Sequence, residues 1–489
     1  MTIPVNEKEI ERLVTEIVRR VTNGDSQPVA EPRPRSLICE PRAGAQNGGS
    51  TANGVFETME EAIAAAGAAY QAFSGVSLER RRVFIKAMRQ AGIEMAEDLA
   101  RKTVAETGFG RAEHKVQKNL LAARKTPGVE DLTPMCYTGD DGLTLVEPAP
   151  YGVVAAVTPC TNPVATVINN GISMVAAGNA VVFNPHPLAK GVSNEAVSLL
   201  NKAIHAAGGP ETLLCSIAQP SLETSQAIMM HPGIRLLMVT GGGEVVRLAM
   251  TCGKKAVAAG PGNPPVIVDD TADIRKAARC IVDGASFDNN VLCTAEKEVL
   301  VLENVADRLI DEMITYGARL ISGDDVDKIT SVLVEPGRPH PHPNKKFVGK
   351  DASVLLDQIG LTAGPDTRLV ICRVPFEHPL VQAEMLMPIL PIVAVPDLTT
   401  ALAKAKQAEH GNRHSAMMHS ESVSNMSLVA REIETTIFVK NAPSYAGLGF
   451  GGEGFTTLSI AGPTGEGLTS ARTFTRQRRC VLAGAFRIV

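Results

Sequence analysis

The sequence predicts an α/β protein built on two doubly wound parallel sheets, preceded by an amphipathic helix on a flexible linker. Three observations predict this. Short apolar runs alternate with helical segments through most of the chain, glycine, alanine and valine abound while tryptophan is absent, and a Pro/Gly-rich stretch separates the first helix from the rest. A chain of 489 residues suits two or three domains.

Composition narrows the function classes. A net charge of −4 and a pI near 6.2 give no basis for nucleic-acid or anionic-membrane binding, and neither partner is expected. No run approaches the roughly 18 apolar residues needed to span a bilayer, and no basic segment followed by an apolar core opens the chain. Nine cysteines without a CxxC pair fit a reducing compartment, so a soluble cytoplasmic protein is expected.

Taken in order, Asn6 to Val21 places Ile10, Leu13, Val14, Ile17, Val18 and Val21 on one helical face. Residues 22–54 have linker composition, so the helix is tethered and its apolar stripe is expected to dock, with a partner favoured over the protein's own body. Glu7, Glu9, Glu11 and Glu16 argue against an acid-poor transit peptide. Val55 to about Lys125 reads as helical. Leu143–Val146 and Tyr151–Val157 read as strands split by Pro148 and Pro150.

The βα alternation then begins. Val153–Val157 leads into Thr158-Pro-Cys-Thr-Asn-Pro163 and a helix; Ala180–Phe183 leads into Asn184-Pro-His-Pro187 and another. Leu213–Ala218 and Ile234–Thr240 repeat the pattern, the latter ending in Gly241-Gly-Gly243. Repeated βα units imply a parallel sheet with a binding crevice at the strand C-termini, and nucleotide binding follows naturally. The glycine turn by itself is neither GxGxxG nor a P-loop. A second α/β block starts near Gly260. Its strands are read at Pro265–Val268, Val299–Leu302, Val354–Leu356, Leu369–Val374 and Ile389–Val395, with helices at 272–287, 305–318 and 398–408. The glycine-rich 447–454 precedes a strand-like Phe455–Ile460, which favours a turn over a nucleotide loop, and Arg478–Val489 reads as an edge strand suited to subunit pairing. The resulting divisions are 1–21, 22–54, 55–260 with a hairpin at about 132–150, 261–446 and 447–489.

Cys293 is the candidate nucleophile. It follows a polar, helix-breaking pair in the stretch Phe287-Asp-Asn-Asn-Val-Leu-Cys293, at a loop-to-element junction where backbone dipoles can lower a thiol pKa. His410 and His414 share i,i+4 spacing, but an intervening glycine and the lack of a third ligand make a loop or helix end the better reading, and no metal is expected.

These residues collectively resemble the aldehyde dehydrogenase superfamily from about Val55 to Val489. Thr158-Pro-Cys-Thr-Asn162-Pro is similar to the family's TPWNFP segment, Thr240-Gly-Gly to its TGS turn, Gly260-Pro-Gly-Asn-Pro to its GGKNP stretch, and Glu384-Met-Leu-Met-Pro388 to its ExFGP motif. The resemblance implies Rossmann-like cofactor and catalytic domains, with a small oligomerisation element made from the Leu143 hairpin and the C-terminal strand. It implies Cys293 as nucleophile and Asn162 as oxyanion donor, with the Cys293 backbone N–H as the second donor. Thr158, Pro159, Asn184, Pro185, His186, Thr240, Gly241, Gly242 and Glu384 are implied as cofactor-binding positions, Glu384 on the nicotinamide ribose.

One departure stands out. Where hydrolytic members carry a glutamate that activates water, this sequence has Ala258. A methyl group cannot abstract a proton, so water attack on the thioacyl enzyme loses assistance typically worth ~10²–10⁴-fold. A thiol acceptor depends on that help far less, because it is already partly thiolate near neutrality. The sequence therefore resembles the CoA-acylating branch, with NAD as oxidant and coenzyme A as co-substrate; Asn184 in place of the family's usual lysine leaves NAD versus NADP preference open. The helix and linker resemble the encapsulation tags of bacterial microcompartment enzymes. That resemblance implies residues 6–21 contacting shell or core proteins, a homo-oligomer, and propionaldehyde from propanediol breakdown in preference to acetaldehyde from ethanolamine.

Overall fold

The computed structural model describes residues 54–337, 339–364 and 366–489. The expected helix at 6–21 and its linker lie outside the described residues. After β1 (Val55–Phe56) come four helices, α1 (Met59–Phe73), α2 (Leu78–Glu94), α3 (Ala96–Thr107) and α4 (Ala112–Lys125), then a hairpin of β2 (Met135–Gly139) and β3 (Gly142–Pro150). The next run is β4 (Val153–Val157), α5 (Pro163–Ala176), β5 (Ala180–Asn184), α6 (Lys190–Ala206), β6 (Leu214–Ile217), α7 (Leu222–Met230), β7 (Leu236–Thr240), α8 (Gly243–Thr251) and β8 (Ala256–Ala259). These strands form a parallel sheet in the order β1-β6-β5-β4-β7-β8. The order reverses between β4 and β7, where a doubly wound sheet opens its ligand crevice.

The second sheet begins five residues after Gly260 with β9 (Pro265–Val268), followed by α9 (Ile274–Ser286), β10 (Glu298–Leu302), α10 (Glu303–Thr315), β11 (Ala318–Ile321) and α11 (Asp324–Leu333). A two-stranded ribbon of β12 (Val334–Glu335) and β13 (His342–Pro343) precedes α12 (Ala352–Asp357) and β14 (Leu369–Arg373). Then come α13 (Pro379–Gln382), β15 (Ile389–Val395), α14 (Leu398–Ala408), β16 (Ser415–His419), α15 (Val423–Ile433) and β17 (Ile437–Lys440). All seven main strands are parallel, in the order β11-β14-β15-β10-β9-β16-β17. The remaining strands are β18 (Ile460–Ala461), β19 (Gly467–Leu468) and β20 (Thr475–Ala483), the last of which pairs antiparallel with β3. Both large sheets carry strands buried along their whole length, such as Val153–Val157 and Val299–Leu302, as parallel sheets covered on both faces require. Among the described residues no helix is long and apolar enough to cross a membrane.

Several expectations are corrected. Val354–Leu356, read as a strand, lies in α12, and an apolar run this short does not distinguish the two states. Phe455–Ile460 is largely irregular; only Ile460 of that stretch enters a strand. The C-terminal strand runs Thr475–Ala483 and not from Arg478 to the terminus. Pro148 and Pro150 do not split the strands, because β3 continues to Pro150. At these positions β3 pairs only with β20, since its register with β2 ends at Val146, and proline is tolerated at such a one-sided edge. The segments 318–333 and 415–440 also form strands and helices that the sequence pattern did not reveal.

Candidate active site

The fold brings two sheet ends together. Residues following β4, β5 and β7 lie at the C-terminal edge of the first sheet: Thr158, Pro159 and Asn162; Pro185 and His186 directly after Asn184; and Gly241 with Gly242 after Thr240. The residues before β9, β10, β15 and β16, four adjacent strands, lie at the N-terminal edge of the second: Gly262, Cys293, Glu384 and His414. The chain crosses from one edge to the other through Gly260–Pro264.

Cys293 is partly exposed, in a loop that a buried polar turn holds in place. Asp288, Asn289 and Asn290 all adopt left-handed backbone, with φ of 50°, 52° and 65°. Each such non-glycine residue costs about 1 kcal/mol, a strain that persists only when surroundings enforce it. The surroundings are explicit. The Asp288 carboxylate accepts the Arg111 backbone N–H at 2.7 Å and Lys115 Nζ at 3.0 Å, and also pairs with Lys118. Its own N–H donates to His114 Nδ1 at 2.8 Å. Asn289 Nδ2 donates to Gly349 O at 2.9 Å, and Asn290 Nδ2 donates to Ala285 O and Glu296 O, both at 2.9 Å. Lys297, wholly buried, donates to Asn290 Oδ1 at 2.6 Å and to Leu292 O at 2.8 Å, fixing the residue that precedes Cys293.

Asn162 is the N-cap residue of the fully buried α5, with Pro163 starting the helix. Its Oδ1 accepts a hydrogen bond from Lys118, so Lys118 joins Asn162 directly to Asp288. On the other side of Cys293, Gly262 makes the close approach: a side chain there would come within 3.0 Å of Cys293 O and 2.8 Å of the His414 ring. The Gly262 N–H donates to Glu384 Oε1 at 3.2 Å. Asn162, Cys293 and Glu384 thus belong to one connected cluster, although they are separated by 131 and 91 positions in the chain (293 − 162 and 384 − 293).

Burial dominates the electrostatics. It pushes the Cys293 thiol up to about 12, with Glu384 adding and Lys297 and Lys118 opposing. The expectation of a lowered thiol is therefore corrected: backbone dipoles do not offset desolvation. Burial also raises Glu384 to about 7 against the pull of Lys297, and lowers Lys118 to about 8 against that of Asp288. Asp288 would be raised by burial, but Lys115 and Lys118 reverse this and hold it below the usual carboxylate range. His414, lowered to about 4 by burial and by Lys297, is a neutral imidazole whose Nε2 has no hydrogen-bond partner among the described residues. Sequence spacing suggested only a loop or helix-end role for His414. Lys118, Lys115 and Lys297 were also missed, because nothing in their local sequence distinguishes them from surface lysines.

The first sheet's edge fits a dinucleotide. A side chain added at Gly241, Gly242 or Gly243 would meet open space, and Gly242 caps α8, whose free N–H groups favour a phosphate. The Thr158 hydroxyl is buried without a partner among the described residues, while that of Thr240 bonds Ser459 Oγ at 2.9 Å. Asn184 differs from the expectation for a ligand-facing residue: its Nδ2 donates to Ser225 Oγ at 2.7 Å and its Oδ1 accepts from Thr224 at 2.8 Å, so its amide is occupied by α7. His186 accepts the Leu188 N–H at 3.1 Å. Ala258 lies fully buried in β8 and carries no group that could act as a base. No cluster of metal-ligating side chains occurs among the described residues.

The raised thiol predicts that Cys293, in the absence of cofactor, alkylates with iodoacetamide at a rate that climbs about tenfold per pH unit beyond pH 9. Peptide mapping measures this directly. A plateau near the ordinary thiol value of about 8.5 would contradict the burial argument.

The aldehyde dehydrogenase family model matches residues 35–475. The acetylating acetaldehyde dehydrogenase EutE of Escherichia coli is 47% identical over 488 residues, 99% of this chain and all of that protein. Propionaldehyde dehydrogenase of Rhodopseudomonas palustris, solved with bound CoA and an acylated cysteine, superposes with a TM-score of 0.87 at 47% identity, covering 90% of this chain and 100% of that one. A propionaldehyde dehydrogenase from the fucose utilisation microcompartment of Clostridium phytofermentans gives a TM-score of 0.87 at 48% identity, covering 89% and 100%. With its two parallel sheets meeting at the Cys293 loop, the chain belongs to the aldehyde dehydrogenase family.

Proposed function

We propose that the protein is a CoA-acylating aldehyde dehydrogenase that converts a short-chain aldehyde, NAD and CoA to acyl-CoA and NADH through a thioester on Cys293. The observation that carries this reading is Ala258, a buried methyl group where a hydrolytic enzyme needs its base. Cys293 Sγ adds to the aldehyde carbon as the thiolate, its proton passing to solvent water, to give a thiohemiacetal oxyanion. Asn162 Nδ2 and the Cys293 backbone N–H receive the oxyanion. NAD, when bound, supplies the hydride acceptor. Gly241, Gly242 and the N-terminus of α8 would hold its phosphates, with Thr158, Pro159 and Thr240 lining the crevice, and Glu384 would position its ribose. CoA thiol attack then releases the acyl group and restores Cys293.

A small cavity of about 10 Å³ lies beside the loop, lined by Lys118, Leu121, Phe287, Leu292, Tyr445 and Phe450 among others. Propionaldehyde is favoured, on the likeness to the two propionaldehyde dehydrogenases. Acetaldehyde is the second reading, on the full-length similarity to EutE.

NADH formation from C2 to C6 aldehydes, with and without CoA, tests the reaction. The expected outcome is CoA-dependent turnover that is highest with propionaldehyde and abolished in Cys293→Ala. Equal rates with and without CoA would sink the acylating assignment.

Microcompartment residence, docking of residues 6–21 on shell or core protein, and oligomer formation through β2, β3 and β20 are part of the same proposal. The last is supported by the exposed Tyr137, Val481 and Leu482 on that sheet. Removing residues 1–22 should leave the purified enzyme's activity unchanged while abolishing co-sedimentation with microcompartments; loss of activity on truncation would make the segment part of the enzyme's own structure instead.

A further inference from the structure

Assigning Asn162 to the oxyanion leaves open what turns its amide the right way round. We infer that Lys118, anchored by Asp288, is a positioning residue that locks the Asn162 side chain with its NH₂ group available to the oxyanion; the inference rests on the proposed function. An ammonium has only donors, so the amide atom facing Lys118 must be the carbonyl oxygen. Rotating the amide by half a turn would set NH₂ against NH₃⁺. Nδ2 is therefore committed to the opposite side, where its contact is a long one, 3.3 Å to Thr161 Oγ1, that a stronger acceptor can displace. An oxyanion hole works through donors already aimed at the developing charge, so this commitment matters to rate and not to folding.

The anchoring is built for the purpose. Lys118 and Asp288 side chains are 4% and 0% exposed, in an ion pair that water cannot loosen. Asp288 sits five residues before Cys293, in the strained turn, so the same carboxylate that shapes the nucleophile loop also sets the lysine that orients the donor. Lys115 holds Asp288 independently, at 3.0 Å, and reaches Thr161 O at 3.3 Å. The turn therefore keeps a cationic partner when Lys118 is replaced, and Lys118 is left as the one cation of the pair that touches Asn162.

Lys118 also lies within electrostatic reach of Cys293, so a direct effect of its charge on the thiol is the competing explanation. Two substitutions separate donor from charge. Lys118→Met removes both and is expected to lower kcat for CoA-dependent NADH formation roughly tenfold to a hundredfold. The KM values for NAD and CoA should stay within about threefold. Lys118→Gln removes the charge but keeps an NH₂ donor, and is expected to retain kcat within about threefold of wild type. In an Asn162→Ala background, adding Lys118→Met should cost less than about threefold more, because the two residues act as one unit. Both variants remove the charge, so the pH dependence of Cys293 alkylation should move to higher pH equally in the Met and Gln variants, while kcat falls only in the Met variant.

Equal losses of kcat in the Met and Gln variants would overturn the inference in favour of a charge effect, as would multiplicative losses in the double variant. If Lys118→Met fails to fold, as thermal unfolding would show, Lys118→Gln decides alone, with retained activity supporting the positioning role and a large loss overturning it. Wild-type protein that forms no NADH with any aldehyde would instead count against the proposed function, while the alkylation profiles remain readable.

Discussion

The buried carboxylate of Asp288 is the interaction on which the site depends. It stands at the start of three consecutive left-handed residues, and without its bonds to Arg111, Lys115 and Lys118 that backbone would relax toward ordinary conformations. Two lysines against one carboxylate leave an excess positive charge close to Asn162 and Cys293. Placing these charges in the interior carries a desolvation cost of several kcal/mol per ion, which a merely structural role would not explain, because apolar residues of similar volume serve stability as well. Gly110 shows how tightly the arrangement is built: with φ of 72° it lets the Arg111 N–H approach, and a side chain there would lie 2.1 Å from Asp288 Oδ1.

The wider architecture divides the work between two sheet edges. The first presents strand C-termini, glycines and a helix N-terminus, which suit phosphates and a dinucleotide. The second presents loops entering four neighbouring strands, which suit close approach of side chains to one another. Gly262 joins the two edges, since only a residue without a side chain can pass between Cys293 O and the His414 ring while giving its N–H to Glu384. The thiol remains protonated in this resting arrangement because burial outweighs the nearby lysines.

Much of this was legible in the sequence, and the reasons are specific. The βα units of the first sheet have long apolar runs closed by Thr-Pro, Asn-Pro and Gly-Gly signals, so their strands and helices were found in order. The second sheet was read only in part. Ser415–His419 lacks β-branched residues, Ala318–Ile321 is four residues long, and short buried runs carry no period by which to tell strand from helix. Cys293, Asn162 and Glu384 could be named through motif order. Lys118, Lys115, Asp288 and His414 could not be joined to them, because a buried ion pair links residues 170 positions apart and leaves no local trace. The state of the Cys293 thiol was misjudged for a related reason: desolvation is a property of the packed environment and not of the loop sequence.

The account's central claim is that the acyl group on Cys293 waits for a thiol because Ala258 offers water no base. Intact-mass measurement of the protein mixed with NAD and propionaldehyde, before and after CoA is added, tests it most directly. The account predicts a propionyl adduct on the Cys293 peptide that persists in buffer and disappears within seconds of CoA addition, with propionyl-CoA appearing in equal amount. An adduct that decays as fast without CoA, yielding propionate, would contradict it.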